Sequence, residues 1–166
     1  MPDWILSSSY ALHMIATVLW IGGLVFQALY LLPILTRPAL DEQARKTLSL
    51  LQTRFHPIAW LSLAVLLATG LTQMTAHPQY EGLLAIQNRW SIAMLAKHLS
   101  ILPMAGLTAF QSFFLHPRLQ RELLKAAHKQ TAAQMIAVLA EERRLVVLNV
   151  ILSGLVLILT AIARTS

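Results

Sequence analysis

Apolar residues fill four long stretches of this chain that contain almost no charged side chains. Trp4–Thr36, Phe55–Tyr80 and Leu145–Ala163 contain no Asp, Glu, Lys or Arg, and Trp90–Pro117 contains only Lys97. A helix needs about 20 apolar residues to cross the hydrocarbon core of a bilayer. The pattern therefore predicts an all-α integral membrane protein with four transmembrane helices.

The connections between these stretches are short enough to favour an antiparallel four-helix bundle. We place the spans at about 8–33, 56–77, 90–116 and 144–163, within one domain that covers residues 1–166. The two longer connections carry apolar residues at helical spacing, which predicts helical extensions of the spans on that side. Asp41 and Glu42 resemble the start of one such helix.

Positive charge is strongly segregated between the two sides of the predicted bundle. Ten Lys and Arg residues lie in the stretches 37–54 and 118–144, whereas only Arg89 and Arg164 lie beside the opposite ends of the spans. Lys and Arg are enriched in cytoplasmic loops, so we expect both termini outside and both basic loops in the cytoplasm. The net charge of +6 thus reflects topology and does not predict nucleic-acid binding.

The first span carries polar side chains on one helical face. These residues recur at i, i+4, i+7 and i+14, and they are His13, Thr17, Trp20 and Gln27. Gly22 and Gly23 reduce side-chain bulk beside this face, which allows a helix or a flat ligand to approach closely. Packing between helices and cofactor binding both explain such a face, although a histidine within a span is costly and usually functional.

Lys97 is the only charged residue that lies well inside an uncharged stretch. Its side chain either extends to the membrane surface or faces the interior of the bundle. No Asp or Glu lies in the predicted spans to neutralise it. An anionic group on a ligand, such as a propionate, would supply the missing charge.

Two histidines lie at similar predicted depth on different spans. His13 follows Asp3 by ten residues, and His98 follows Arg89 by nine residues. At about 1.5 Å rise per residue, both imidazoles lie in the outer third of the membrane. Two neutral imidazoles at one level can bind a haem iron from both sides or share a metal ion.

A second histidine level is predicted at the cytoplasmic edge. His56 begins the second span and His116 ends the third, and each precedes a proline. His98 and His116 are 18 residues apart, which is five helical turns, so they lie on the same face of the third span. Their separation along the helix axis is about 27 Å. The pattern permits a second metal site, but histidines at helix ends also serve structural roles.

Several short motifs occur in an order that resembles the copper-resistance protein D family. They are Leu12-His13, Trp20-Ile21-Gly22-Gly23, Arg54-Phe55-His56-Pro57, Thr69-Gly70, Lys97-His98 and Glu142-Arg143. The resemblance implies a multi-pass protein of the bacterial inner membrane that acts in copper homeostasis or transport. It also implies that His13 and His98 are intramembrane ligands and that Lys97 is their electrostatic partner.

The same layout is similar to the four-helix haem-binding protoporphyrinogen oxidases. The shared features are His13, the stretch from Trp20 to Leu24, and Lys97. This second resemblance implies a haem b-binding oxidoreductase or electron carrier.

A structural membrane subunit with packed histidines is the third hypothesis. The sequence leaves open whether the cofactor is copper or haem b and whether the chain is an enzyme. Beyond the lipid bilayer, the expected partners are a second copy of the chain or another membrane or periplasmic protein.

Overall fold

The computed structural model describes residues 2–37, 40–82, 84, 86–126 and 132–164, and every regular element in these ranges is helical. Two short π-helical segments, Gln27–Leu31 and Gln111–Leu115, interrupt the α-helices. The α-helices are α1 (Asp3–Phe26), α2 (Leu32–Leu35), α3 (Glu42–Thr75), α4 (Arg89–Phe110), α5 (His116–Ala126) and α6 (Ala132–Arg164). The predicted all-α class is confirmed.

Four helical stretches are long and apolar enough to cross a membrane, as the sequence predicts. They are Asp3–Leu35, Glu42–Thr75, Arg89–Glu122 and Gln134–Arg164. Each is longer than the corresponding predicted span, and the second ends at Thr75, two residues before the end predicted at residue 77. The second stretch begins where the sequence suggests a helix start, because the Asp41 side chain accepts a hydrogen bond from the Ala44 N–H at 2.7 Å. The predicted helical extensions are therefore present at both basic loops.

The long helices contact one another mainly in two pairs. The most extensive contacts join α1 to α3 and α4 to α6, and α6 also packs against α1. We call the end beside the two basic loops the basic end, and the end beside both termini the terminal end. Most of the buried apolar core lies toward the basic end, where it includes Leu31, Leu32, Leu35, Leu115, Leu119 and Leu139.

The predicted polar face of the first span points toward the other helices. His13 and Thr17 are partly buried, and Trp20 and Gln27 are buried. On the opposite side of α1, the side chain of Val18 is 68% exposed, as expected for a residue that faces lipid.

The last span also turns a polar face inward. Asn149 and Ser153 lie four residues apart on α6, and both are fully buried. The Asn149 amide donates to the Thr108 hydroxyl at 3.2 Å, which ties α6 to α4. This is the interhelical hydrogen bonding expected of polar residues in a membrane bundle.

The two π segments lie at corresponding places in the first and third spans. Each begins at a buried glutamine, and its closing bond spans five residues: Leu32 N–H donates to the Gln27 carbonyl, and His116 N–H to the Gln111 carbonyl. Single π turns are rare and often mark functional sites. The sequence pattern does not predict them.

Candidate metal centre

Three side chains that can bind a metal ion converge near the basic end. His56 of α3, His116 at the start of α5 and Glu142 of α6 each place one potential ligand atom within 4.8 Å of the others. The two imidazole centroids are 4.5 Å apart. Ligand atoms bound to one ion at about 2.1 Å lie at most about 4.2 Å apart, so small side-chain rotations would complete a site.

Helical spacing on each element directs these side chains inward. On α3, Gln52, His56 and Trp60 follow one another at intervals of four residues and therefore share a face. On α6, Glu142 precedes the buried Asn149 by seven residues, which is close to two turns. The π segment that ends at Leu115 leads directly into His116.

Each of the three side chains has one buried polar atom without a hydrogen-bond partner among the described residues. These atoms are His56 Nε2, His116 Nδ1 and Glu142 Oε2. Buried polar atoms in proteins nearly always have a partner, because leaving one unpaired costs its full hydration free energy. A cation that binds all three atoms would provide the missing interactions.

The hydrogen bonds around His116 determine which of its ring nitrogens carries the proton. The Thr53 hydroxyl donates to the Ser49 carbonyl at 2.9 Å, so toward His116 Nε2, at 3.3 Å, it can only accept. His116 therefore donates from Nε2 and keeps a lone pair on Nδ1. This is the unpartnered nitrogen, and it is ready to bind a metal ion.

His56 is held by a similar arrangement on the neighbouring helix. Its Nδ1 lies 3.1 Å from the Ser112 hydroxyl oxygen, which also accepts from Trp60 Nε1–H at 3.2 Å. A hydroxyl oxygen has two lone pairs and can accept from both donors. In the tautomer protonated at Nδ1, His56 donates to Ser112 and keeps a lone pair on Nε2. Metal-binding histidines are commonly oriented in this way by a second hydrogen bond.

Glu142 is the candidate ligand that the sequence pattern does not assign. It was placed in the loop before the fourth span, but α6 already includes it and buries it, with 1% of its surface exposed. Gln52 Nε2 donates to Glu142 Oε1 and leaves Oε2 free. The adjacent Glu141 faces outward, and its Oε2 lies 3.7 Å from a guanidinium nitrogen of Arg118. Glu142 thus lies on the same helix as the predicted fourth span, two residues before the first residue of that span.

A small cavity of about 20 Å³ adjoins this centre, large enough for one water-sized particle. Its lining includes two of the three candidate ligand residues and residues from the first and third spans. The lining residues are Trp20, Leu24, Gln27, Phe55, His56, Ala59, Thr108, Gln111 and Glu142.

At the terminal end, His13 belongs to a polar contact between α1 and α3. The Thr69 hydroxyl donates to the Val65 carbonyl at 2.6 Å, so it accepts from His13 Nδ1–H at 2.8 Å. Gly70 leaves room for the ring, since a Cβ there would lie 3.6 Å from His13 Cε1. Gln73 also donates across this interface, to the carbonyl of residue 9 at 3.1 Å. His13 Nε2 remains available for a ligand.

The other terminal-end candidates lie on α4. His98 is partly buried and donates from Nδ1 to the Met94 carbonyl of its own helix at 2.7 Å. Lys97 is also partly buried and interacts electrostatically with His13 and with Arg164. In the described part of the chain, no third ligand joins His13 and His98 as Glu142 joins the two histidines at the basic end. Shared binding of one ion by His13 and His98 stays a prediction.

The surroundings of the two glycines give no support to a haem site. A Cβ at Gly22 would meet no atom within 4 Å, so Gly22 borders open space. A Cβ at Gly23 would lie 3.5 Å from the Phe55 ring. Two cavities beside this part of α1 measure about 20 and 10 Å³, whereas sites for organic ligands occupy about 300–1,000 Å³.

Comparison with known proteins identifies a family but no individual relative. The model of the family described as "Copper resistance protein D" matches residues 49–163. The matched segment includes His56, His98, His116 and Glu142, and it begins after His13. No curated protein and no solved structure matches the chain. The match covers most of the chain, and with its four membrane-spanning helices the protein belongs to the copper resistance protein D family.

Proposed function

We propose that this protein acts in copper homeostasis and that a copper ion, as its substrate, binds to His56, His116 and Glu142. The observation that supports the proposal is the convergence of three buried, unpartnered ligand atoms beside a small cavity. Imidazole nitrogen and carboxylate oxygen are suitable ligands for copper, which such sites bind more tightly than other divalent metals of the first row. Family membership indicates copper as the relevant ion.

We propose further that His13 and His98 form a second binding position near the terminal end. Hydrogen bonds at Nδ1 leave Nε2 of both imidazoles available. Lys97, beside His98, would attract an anionic group on a partner or on a copper complex. Copper would then move between this position and the centre at the basic end, within one four-helix protein of the bacterial inner membrane.

Copper content of cells provides a direct test of the proposed role. Cells that express the wild-type chain and grow with added copper should differ in total copper from cells that carry an empty vector. His116→Ala should remove this difference, because it deletes one of three ligands. His77→Ala serves as the matched control, since His77 stacks on Trp90 outside the centre, with ring centroids 4.3 Å apart.

Two results would contradict the proposal. The first is wild-type expression, verified in the membrane fraction, without any change in cellular copper. The second is a His116→Ala protein that changes cellular copper as much as the wild type. Either result would favour a structural role for the histidines.

A further inference from the structure

Two side chains beside the metal centre have buried donors without partners, and the metal ligands do not account for them. Trp20 Nε1 and Gln111 Nε2 are buried and have no hydrogen-bond partner among the described residues. Both residues are 5% exposed, and both line the cavity of about 20 Å³ that His56 and Glu142 also line. Trp20 comes from α1 and Gln111 from the π segment of the third span, so two helices supply these donors independently.

The chemistry of these atoms limits what can occupy the cavity. An indole N–H and an amide NH₂ donate hydrogen bonds and cannot accept them. Their burial is costly unless an acceptor lies nearby. The cavity is large enough for one water-sized particle. Its occupant is therefore a single small acceptor, in a cavity that Trp20 and Gln111 line together with His56 and Glu142.

The number of donors favours an anion over a neutral water molecule. A water oxygen that coordinates a metal ion keeps one lone pair, which can accept one hydrogen bond. Hydroxide and chloride keep more lone pairs and can accept from both donors. No lysine or arginine lines the described cavity to neutralise an anion. The metal ion itself would have to supply the compensating charge.

Charge balance then relates the anion to the oxidation state of the metal. Glu142 contributes one negative charge when it binds a metal ion, so a monovalent ion there needs no further anion. A divalent ion with Glu142 alone keeps one unbalanced positive charge, which is costly in a buried site. One small anion removes that charge. Because Trp20 and Gln111 can hold such an anion, their two hydrogen-bond donors favour a divalent metal ion at the centre.

The ligand set agrees with this conclusion. Thiolate and thioether ligands favour Cu(I), whereas nitrogen and oxygen ligands favour Cu(II). The chain contains no cysteine, and no methionine lines the described cavity. Building on the proposed copper site, we propose that Trp20 and Gln111 hold one small anion, hydroxide or chloride, at the remaining coordination position, and that the centre thereby selects Cu(II) over Cu(I).

The test uses the full chain in detergent and measures Cu(II) and Cu(I) dissociation constants by competition with chelators. Trp20→Phe and Gln111→Leu remove one donor each but keep most of the side-chain volume. Each should weaken Cu(II) binding about tenfold or more and leave Cu(I) binding unchanged. Trp4→Phe is the control, because Trp4 is 71% exposed and lies near the N-terminus. Unchanged Cu(I) binding also shows that the variants are folded.

A second arm identifies the anion. If chloride is held, the Cu(II) affinity of the wild type should rise with chloride concentration at fixed pH, and Trp20→Phe should reduce this dependence. If hydroxide is held, the Cu(II) affinity should be insensitive to chloride and should rise more steeply with pH in the wild type than in Trp20→Phe, since deprotonation of the ligands themselves contributes equally to both proteins.

Two outcomes would overturn the inference while leaving the proposed function intact. One is wild-type protein that binds Cu(I) more tightly than Cu(II). The other is a pair of variants, Trp20→Phe and Gln111→Leu, that bind Cu(II) as tightly as the wild type. A wild-type protein that binds neither ion would instead contradict the copper site itself.

Discussion

At the scale of single residues, threonine hydroxyls decide which imidazole nitrogens remain free. A threonine that donates to its own helix can only accept from a histidine on the next helix, so the histidine must donate. Thr53 acts in this way on His116, and Thr69 on His13. In both cases the opposite ring nitrogen keeps its lone pair. These hydroxyls therefore leave Nδ1 of His116 and Nε2 of His13 with a lone pair that a metal ion could use.

The first prediction concerns Thr53. Thr53→Val removes the acceptor for His116 and should weaken copper binding by about 10- to 100-fold, the usual effect of losing a hydrogen bond that orients a ligand. Thr53→Ser should restore wild-type affinity. Thr47→Val is the control, because the exposed Thr47 hydroxyl donates to the Gln43 carbonyl of the same helix at 3.0 Å. Affinity that is unchanged in Thr53→Val would show that the hydrogen bond does not orient the ring.

Sequence reasoning selected both basic-end histidines as candidate ligands but not the carboxylate that lies near them. His56 and His116 are noticeable because each lies at the end of an uncharged stretch and precedes a proline. Glu142 stands in a charged run with Glu141 and Arg143, which is typical of a solvated loop. The available signal was its spacing of seven residues from Asn149, which predicts a common helical face. That signal has value only once α6 is known to extend past the charged run.

At the scale of helices, the uncharged runs predicted the spans, and the polar residues predicted their inward faces. Both predictions rest on the cost of placing charge or unpaired polar groups in lipid, which acts on each helix separately. The π segments and the meeting of His56 with His116 could not be predicted in this way. Both depend on how neighbouring helices pack against each other. The pattern of apolar and polar residues along one sequence does not determine that packing.

The second prediction distinguishes a metal centre from a haem slot at the glycines of α1. Gly22→Ala and Gly23→Ala should leave copper binding unchanged and stabilise the protein by up to about 1 kcal/mol each, because alanine favours the helix. Neither added Cβ would come closer than 3.5 Å to another side chain. Thermal unfolding in detergent and copper affinity provide the measurements. A lower unfolding temperature, or loss of a bound cofactor, would show that a ligand needs this space.

At the scale of the whole molecule, the distribution of charge sets the expected orientation in the membrane. The basic loops would place the centre formed by His56, His116 and Glu142 near the cytoplasmic surface. His13, His98 and both termini would then lie toward the periplasm. This arrangement gives each side of the membrane its own histidine position.

The third prediction tests that orientation. Alkaline phosphatase fused to the C-terminus should be active, because this enzyme requires the periplasm, and green fluorescent protein at the same position should be dark. Fusions after residue 126, in the second basic loop, should show the opposite pattern. A fluorescent C-terminal fusion with an inactive phosphatase would reverse the assignment of the two histidine levels.

The most direct test of the copper centre compares two neighbouring carboxylates in purified protein. Glu142→Gln keeps the side-chain volume but removes the charged ligand, whereas Glu141→Gln changes an exposed residue that pairs with Arg118. Copper dissociation constants, measured by chelator competition, should rise by at least about 100-fold in Glu142→Gln, more than expected for an outer-shell change. Glu141→Gln should match the wild type. Equal affinities in Glu142→Gln and the wild type would contradict copper binding at this centre.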